Sequence, residues 1–171
     1  ELMSIMQMLL GTSSAANDVH FVVTHATSPY VTAYPFDNGL GTKLSDPSTL
    51  PAGNGRCVAF SPDKKFIAIG HESSPYISVY HWSNDGFGAK VSNPGTLPSN
   101  RVEEVRWSPD GSVIAYGVSG GSVHAYTWSS SGFGTKYSDP SDDDFNDVWS
   151  IRWSPDGDYV LVGGTISQAG K

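Results

Sequence analysis

Trp107-Ser108-Pro109-Asp110-Gly111 is the stretch that decides the fold, because the chain contains it in three versions. The other two are Phe60-Ser61-Pro62-Asp63-Lys64 and Trp153-Ser154-Pro155-Asp156-Gly157, at spacings of 47 and 46 residues. A similar segment that recurs at one interval of this size indicates a repeat architecture. Within the segment, serine and proline begin a tight turn, and Asp-Gly supplies residues that tolerate positive φ. The sequence therefore predicts one β-hairpin turn in each repeat.

The residues on both sides of this turn have the patterns of β-strands. Before the turn, Val105 and Trp107 alternate with polar residues, which is a period of two. After the turn, residues 113–116 are a continuous apolar run, as expected for a strand that is covered on both faces. Phe60, Trp107 and Trp153 should therefore occupy the same place in successive repeats, buried between neighbouring sheets.

A third and a fourth strand complete each repeat. The third strand carries a tyrosine at a strict interval of 46 residues, and the fourth ends on a lysine that precedes a proline-containing break. The tyrosines are Tyr34, Tyr80 and Tyr126, and the lysines are Lys43, Lys90 and Lys136. Lysine and proline are typical of outermost strands, which must not pair with another sheet. Four antiparallel strands in about 40 to 50 residues are the unit of a β-propeller blade, so the predicted fold class is all-β.

The number of repeats limits what the chain can form alone. Residues 1–17 are assigned to a short helix and a connecting segment, and residues 18–171 to a partial β-propeller. The repeats lie at about 18–55, 56–100, 101–147 and 148–171. This amounts to about three and a half blades, whereas a closed ring needs about four to eight. We expect either part of a longer polypeptide or two chains that complete one ring as a symmetric dimer.

Residues 2–10 stand outside the repeat and have a helical pattern. Their apolar side chains fall at i, i+3, i+4, i+7 and i+8, at Leu2, Ile5, Met6, Leu9 and Leu10. This spacing predicts one stripe of a short N-terminal helix that ends at Gly11. The helix either packs as a plug on the end of the propeller or presents a methionine-rich surface to a partner.

Composition and charge exclude several classes of partner. The net charge is −7, which repels phosphate backbones, and no basic stripe is interleaved with aromatic residues. We therefore predict no nucleic-acid partner. No segment approaches the roughly 20 apolar residues that are needed to span a membrane. The single Cys57 is expected to be a small buried hydrophobic residue.

The histidines do not form a catalytic or metal-binding pattern. His25 and His71 are 46 residues apart, but Gly117 stands at that interval in the third copy, so a site of three ligands would lose one. The other three are His20, His81 and His124, on predicted strands without a cysteine or carboxylate at ligand spacing. No base, nucleophile and orienting group recur together. We predict a non-enzymatic protein with no catalytic residues and no cofactor.

An acidic run after residue 138 is the main local departure from the repeat. It contains Asp139, Asp142, Asp143, Asp144 and Asp147. Several carboxylates within nine residues are able to bind Ca²⁺, but their spacing differs from that of an EF-hand loop. A charge run is more often a solvated loop. The prediction is no metal site, with calcium at Asp142, Asp143 and Asp144 as the alternative.

One end of the predicted blades is richer in tyrosine, histidine and proline. It holds the loops between second and third strands and the connections 46–55 and 93–100. These residue types give contact area at low entropic cost, and binding residues concentrate on loops that a rigid scaffold holds. The predicted partner-binding residues are His25, Tyr30, His71 and Tyr76. The alternative is that these aromatic residues only cap the tips of the blades.

The repeat resembles those of WD-repeat and TolB-type propellers, which share a Ser-Pro-Asp-Gly hairpin. It departs from the WD-repeat pattern because serine follows Trp82 and Trp128, and because no Gly-His pair opens the blades. The chain is also similar to the propeller repeats of tailed-phage and prophage structural proteins. The segments that carry this similarity are Pro47-Ser48-Thr49-Leu50-Pro51, Gly53-Asn54-Gly55, Val58-Ala59-Phe60-Ser61-Pro62-Asp63 and Ser73-Ser74-Pro75-Tyr76-Ile77.

The phage resemblance implies a structural and interaction module of a virion, in a tail, a fibre or the capsid surface. Its partners would be other virion proteins, further copies of itself, or a host surface receptor or glycan. The alternative is a bacterial cell-envelope or extracellular propeller that binds a protein or a glycan. An enzyme whose catalytic residues lie in blades outside this sequence is a third reading.

Overall fold

The computed structural model describes residues 6–8, 19–140 and 145–166, and this part of the chain contains β-strands and no helix. The strands are β1 (Met6–Met8), β2 (Val19–Thr24), β3 (Val31–Phe36), β4 (Gly55–Phe60), β5 (Phe66–His71), β6 (Ile77–Ser83), β7 (Gly86–Lys90), β8 (Val102–Trp107), β9 (Val113–Val118), β10 (Val123–Ser129), β11 (Gly132–Lys136), β12 (Phe145–Trp153) and β13 (Val160–Ile166). Neighbouring strands pair antiparallel and form four separate sheets.

Two of these sheets are complete four-stranded blades. Blade 2 has the strand order β4-β5-β6-β7, and blade 3 has the order β8-β9-β10-β11. Blade 1 has three strands in the order β1-β2-β3, and blade 4 has the pair β12-β13. The prediction of an all-β chain with blades of four antiparallel strands is confirmed for the two central repeats.

Serine and aspartate of the repeated motif close the turn between the first and second strands of a blade. In blade 3, Ser108 Oγ donates to Asp110 Oδ1 at 2.5 Å, and the same oxygen accepts from the Ser112 N–H at 3.0 Å. The bond from Ser108, followed by those from Ser112, lowers the pKa of Asp110 to about 2. Gly111 has φ +75°, a left-handed conformation that favours glycine. The equivalent serine-to-aspartate bonds join Ser61 to Asp63 and Ser154 to Asp156.

The core lies between neighbouring blades. Trp107 is only 6% exposed and packs edge-on against Trp128 with ring centroids 5.5 Å apart, in a cluster built from blades 2 and 3. Phe60 packs in the same way against Trp82, at 5.1 Å, in the cluster between blades 1 and 2. The predicted burial of Phe60 and Trp107 is confirmed. Trp153 also packs on the preceding blade but is half-buried, because the described part of blade 4 has no third strand to supply a counterpart of Trp128.

The predicted N-terminal helix over residues 2–10 is not supported. Met6–Met8 form β1, which pairs antiparallel with β2 so that Gln7 lies opposite Val22. The other residues of the predicted helix lie outside the described residues. Without β1, one edge of β2 would leave its backbone donors and acceptors unpaired, and β1 takes the place that β4 has in blade 2.

The predicted fourth strand of the first repeat, residues 40–43, does not form a ladder. A single bridge joins Phe36 to Leu40, and the Gly41 N–H donates to the Pro35 carbonyl at 2.8 Å. Pro35 lies in β3 and has no N–H to donate to a fourth strand. The equivalent positions in β6 and β10 are His81 and Thr127, and both of those strands pair with a fourth strand.

The first strands of successive blades lie beside one another. β4 contacts β8, and β8 contacts β12, as expected when first strands surround the axis of a propeller. Two glycines in second strands permit the close approach. A Cβ on Gly70 would lie 2.7 Å from the Val102 carbonyl oxygen, and one on Gly117 would lie 2.3 Å from Val148 Cγ1. Cys57 is fully buried beside Gly70, and this burial raises the pKa of its thiol.

Candidate functional site

The loops between the second and third strands of blades 1 and 2 have the same conformation. Each contains a cis Ser-Pro peptide, followed by Tyr30 with φ 69° or Tyr76 with φ 65°. The Tyr76 N–H donates to the Ser73 carbonyl at 2.7 Å, and the Tyr76 carbonyl accepts from the His71 N–H at 2.8 Å. Both tyrosine side chains are half-buried, and Tyr76 packs against the core between blades 2 and 3. Both rings therefore keep part of their surface open to solvent.

The two histidines that were predicted to bind a partner, His25 and His71, differ in how far they are buried. His71 is completely buried, with Nε2 3.0 Å from Ser78 Oγ, and this burial lowers its pKa to about 4. It is neutral at pH 7 and has no surface to offer a partner. His25 is half-buried. The strand register also corrects the third copy, because Val118 and not Gly117 occupies the position of His71.

Asp142, Asp143 and Asp144 of the acidic run lie outside the described residues. Its described members already have partners. Asp139 accepts hydrogen bonds from His124 Nδ1 at 2.7 Å and from the Lys136 ammonium, and Asp147 accepts one from Ser119 Oγ at 2.7 Å. Within the described ranges, no group of three or more His, Cys, Asp and Glu side chains is placed to hold a metal ion.

The arginines are concentrated in one part of the fold. All four arginines of the sequence lie in, or one residue before, the first strands of blades 2, 3 and 4, at Arg56, Arg101, Arg106 and Arg152. Three of the four glutamates contact them, at Glu72, Glu103 and Glu104. Arginine presents a planar fork that bonds carboxylates and phosphates in two places. We call these seven side chains the arginine–glutamate cluster.

Arg56 links blade 2 to blade 3 within this cluster. Its Nε donates to Glu103 Oε2 at 3.0 Å, and its Nη1 donates to Glu72 Oε1 at 3.2 Å. Glu72 also accepts from Asn54 Nδ2 at 2.8 Å, and Glu103 pairs with Arg101 as well. The side chains of Arg56 and Arg101 are 38% and 41% exposed, so this half of the cluster reaches the surface.

Glu104 links blade 3 to blade 4. Its side chain is 4% exposed, and its Oε1 accepts from Arg106 Nη2 at 2.5 Å and from Arg152 Nη1 at 2.7 Å. Burial lowers the pKa of Arg106, and the neighbouring Glu104 carboxylate opposes this effect. A buried carboxylate must be paired, which explains why two guanidinium groups meet here. Arg152 is 60% exposed and is the most open cation of the cluster.

The tyrosine loops and the exposed half of the cluster share one end of the blades. The Gly55 N–H donates to the His25 carbonyl at 3.1 Å, and the Glu72 N–H donates to the Asn54 carbonyl at 3.1 Å. Each loop thus lies against a connection that enters a first strand. We call this surface the loop end, formed by residues 25–30, 51–56, 71–76 and 100–103.

The opposite end has a shallow cavity of about 290 Å³ between blades 2 and 3. Asp63, Asp110, Lys65 and Trp128 are among its lining residues. Both carboxylates already accept hydrogen bonds within their own turns, from Ser61 and Ser108. These aspartates therefore serve the hairpin, and the loop end is the better candidate for binding.

The sequence analysis selected Tyr30 and Tyr76, whose role in binding stays a prediction, and it missed the arginine–glutamate cluster. The sequence did contain a signal that points to this cluster. Glu104 and Arg106 stand at the positions of Cys57 and Ala59 in blade 2, so charge replaces small uncharged residues on the inner strand. Charged residues at positions that are uncharged in another copy of the repeat indicate an interaction that only this blade makes.

Radial blades with adjoining first strands define the chain as an arc of a β-propeller. The family described as "WD domain, G-beta repeat" matches residues 140–165, a segment that overlaps blade 4. No curated protein matches the sequence. In the described part of the chain, no helix is long and apolar enough to cross a membrane.

The solved structures that share the fold include the following three. A protein from Lactobacillus plantarum matches with a TM-score of 0.72 and 19% identity, over 94% of this chain and 48% of that one. A candidate 6-phosphogluconolactonase from Bacteroides uniformis matches at 0.67 and 13%, over 92% and 47%. Hydrazine synthase from Kuenenia stuttgartiensis matches at 0.59 and 18%, over 84% and 40%. The chain thus spans less than half the length of each.

Proposed function

We propose that this chain is a non-enzymatic interaction module that binds a protein partner through its loop end. The observation that carries the proposal is the gathering of exposed Arg56 and Arg101 beside the half-buried Tyr30 and Tyr76 on one rigid surface. Arginine and tyrosine are enriched among the residues that dominate binding energy at protein interfaces. Propellers of the WD-repeat type generally mediate protein–protein interaction, which agrees with this role.

The more specific proposal is that the partner belongs to a phage virion and that the chain is a tail, fibre or capsid-surface component. Support comes from the resemblance of residues 47–51, 53–55, 58–63 and 73–77 to phage propeller repeats. Several of these segments lie at the loop end, where Gly53-Asn54-Gly55 forms the connection and Ser73-Ser74-Pro75-Tyr76 forms the loop. The resembling residues are therefore partly those that would meet a partner.

An enzymatic role is the second candidate, because one similar structure is a candidate 6-phosphogluconolactonase. In the part of the chain that the structure describes, His71 is buried, and the glutamates of the arginine–glutamate cluster are all ion-paired. These groups are occupied and do not make a base beside a nucleophile. Hydrolysis of 6-phosphogluconolactone by the purified chain would favour this second candidate over the first.

Binding at the loop end is tested with purified phage particles that lack the chain. The particles are mixed with tagged chain and pelleted, and the bound fraction is measured as a function of chain concentration. Tyr76→Asp and Arg101→Ala should each weaken association at least about tenfold, as expected for residues that dominate an interface. Arg101→Ala leaves Glu103 paired with Arg56, so the fold is preserved.

Lys43→Ala is the matched control. Lys43 is 39% exposed and pairs with Asp46 on the outer side of blade 1, whereas Arg101 is 41% exposed and pairs with Glu103. Lys43→Ala should leave binding unchanged. Equal binding by all four proteins would refute the loop end as the contact surface. Absence of binding by the unsubstituted chain would refute the virion role.

A further inference from the structure

The chain contains two Asn-Gly steps, Asn38-Gly39 and Asn54-Gly55. Asparagine is one of the chemically labile side chains of proteins, and it reacts most readily before glycine because no Cβ shields the following backbone nitrogen. The two steps therefore share the same intrinsic chemistry, and the fold around each step decides whether it reacts.

The reaction is deamidation through a succinimide. The glycine nitrogen attacks Cγ of the asparagine, an N–Cγ bond forms, the Cγ–Nδ2 bond breaks, and the proton of the glycine nitrogen leaves with the amide as ammonia. Solvent water then opens the succinimide at either carbonyl carbon and gives aspartate or isoaspartate. Deamidation therefore needs an accessible glycine nitrogen and an amide that is able to turn towards it.

The turn after β3 leaves Asn38-Gly39 open. Asn38 is exposed, and its Nδ2 donates to Asp37 Oδ1 at 3.2 Å, a bond between two exposed side chains. Among the described residues, no hydrogen-bond acceptor is found for the Gly39 N–H. A Cβ placed on Gly39 would meet no other part of the fold within 4 Å. One bridge, between Phe36 and Leu40, follows this turn, whereas the equivalent turns of blades 2 and 3 are followed by a ladder.

The loop end holds Asn54-Gly55 by three hydrogen bonds. Asn54 Nδ2 donates to Glu72 Oε2 at 2.8 Å, and the Asn54 carbonyl accepts from the Glu72 N–H at 3.1 Å. The attacking group, the Gly55 N–H, donates to the His25 carbonyl at 3.1 Å. The backbone is also closely packed, since a Cβ on Gly55 would lie 2.5 Å from the Tyr30 carbonyl oxygen. This step reacts only after the loop end has opened locally.

We propose that Asn38-Gly39 is a site of spontaneous deamidation and that the hydrogen bonds of the loop end protect Asn54-Gly55 from the same reaction. Conversion at Asn38 adds a negative charge to a chain whose net charge is already −7. Its isoaspartate product also lengthens the backbone of an exposed turn by one atom. Blade 1 accepts this change, because residues 40–43 form no ladder whose register would shift.

Conversion at Asn54 would be far more damaging. A carboxylate would replace the amide that donates to Glu72, so two negative charges would face each other beside Arg56. The bonds that shape the loop end thus also preserve its chemistry. The difference between the two steps does not depend on the function proposed above, because it follows from the local geometry of each step.

Peptide mapping by mass spectrometry tests the proposal on the purified full chain. The chain is incubated at mildly alkaline pH, in buffer and in denaturing urea, and the fraction converted at each asparagine is followed over time. In urea the two steps should convert at similar rates. In buffer Asn38 should convert at least about tenfold faster than Asn54, because several hydrogen bonds must open before Asn54 reacts.

Asn38→Asp is the matched control, because aspartate also tolerates the φ of 56° at this position but has no amide to lose. The mass increase of the peptide that contains residue 38 should disappear, and conversion at Asn54 should be unchanged. Glu72→Ala removes the acceptor of the Asn54 amide and should speed conversion at Asn54 at least about threefold, with no change at Asn38.

Three results would overturn the proposal. Equal conversion of Asn38 and Asn54 in buffer would mean that the loop end gives no protection. A peptide with Asn38 that keeps its mass in buffer but converts in urea would mean that the turn is protected as well. Unchanged conversion at Asn54 in Glu72→Ala would show that the bond to Glu72 does not restrain the amide.

Discussion

Blades 2 and 4 are built on the same strand–turn–strand motif but are buried to very different degrees. Phe66 in blade 2 is 4% exposed, whereas Tyr159 at the equivalent position in blade 4 is 70% exposed. The difference does not come from the residues, which are both large and aromatic. Blade 2 has a neighbour on each face, and blade 4 has blade 3 alone. Burial in this repeat is therefore decided by the neighbouring blade, as in other one-dimensional stacks.

The largest expected effect tests this comparison directly. Trp107→Ala should lower the free energy of unfolding by about 3 to 5 kcal/mol, because it empties a site that blades 2 and 3 fill together. Tyr159→Ala in blade 4, at a 70% exposed position that no neighbouring blade covers, should cost less than about 1 kcal/mol, because the side chain removes little area from water. Urea unfolding measures both losses. Equal losses would show that the neighbouring blade is not what decides burial energy.

Hydrogen exchange measures which strands lose stability when Trp107 is replaced by alanine. Faster exchange is expected in β5 and β6 of blade 2 as well as in β8 and β9 of blade 3, because the cluster belongs to both. Exchange that increases only in the β8–β9 hairpin would contradict coupling between the blades.

His71 provides a pH-dependent comparison between blades 2 and 3. The unfolded chain binds a proton at the ordinary histidine pKa of 6.5, whereas the folded His71 binds one only near pH 4. Stability should therefore fall as the pH drops below about 6.5 and level off below about 4. Since one pKa unit is worth about 1.4 kcal/mol, the loss reaches about 3 kcal/mol.

His71→Val copies the residue that blade 3 has at this position, Val118, and should remove this loss. Unfolding measured at pH 7.5 and pH 4.5 gives the difference, and the remaining histidines contribute equally to both proteins. At pH 7.5 the variant should lose only about 1 kcal/mol, for the broken contact with Ser78. A pH dependence that persists in the variant would assign the titration to another group.

The smallest expected effect concerns the repeated tyrosine. The hydroxyl of Tyr80 donates to the Thr49 carbonyl at 2.7 Å, and that of Tyr126 donates to the Thr96 carbonyl at 2.8 Å. Each bond holds a blade-to-blade connection in place. Tyr80→Phe and Tyr126→Phe should each cost about 1 kcal/mol in urea unfolding. Tyr137→Phe, at a 49% exposed tyrosine, is the control and should stay within about 0.5 kcal/mol.

Much of the fold could be predicted because its signals are local. The Ser-Pro-Asp-Gly turn, the alternation before it and the tyrosine interval of 46 each depend on residues close in sequence. The interval of 46 gave the wrong equivalent for His71. The loop after β9 is one residue shorter than the loop after β5, so the interval of 46 applies only to residues that follow this loop, and His71 precedes it. The equivalent residue in blade 3 is therefore Val118, at an interval of 47.

The candidate site was predicted only in part, for a related reason. Tyr30 and Tyr76 lie in loops that the repeat makes recognisable, and the structure places them at the loop end. Arg56 and Glu103 are far apart in sequence, and their pairing requires two first strands to adjoin. The burial of His71 likewise follows from packing and not from its neighbours in the sequence.

The sequence by itself determined the repeat, the hairpin turn and the four-stranded plan of the central blades, since turn chemistry and a period of two act within a few residues. Tertiary structure alone decided that Met6–Met8 form the first strand of blade 1 and that the arginines meet the glutamates on adjoining first strands. It also decided that Leu161 is exposed while Ala68 is buried. These features depend on which surfaces meet after the chain has folded, and no single segment encodes them.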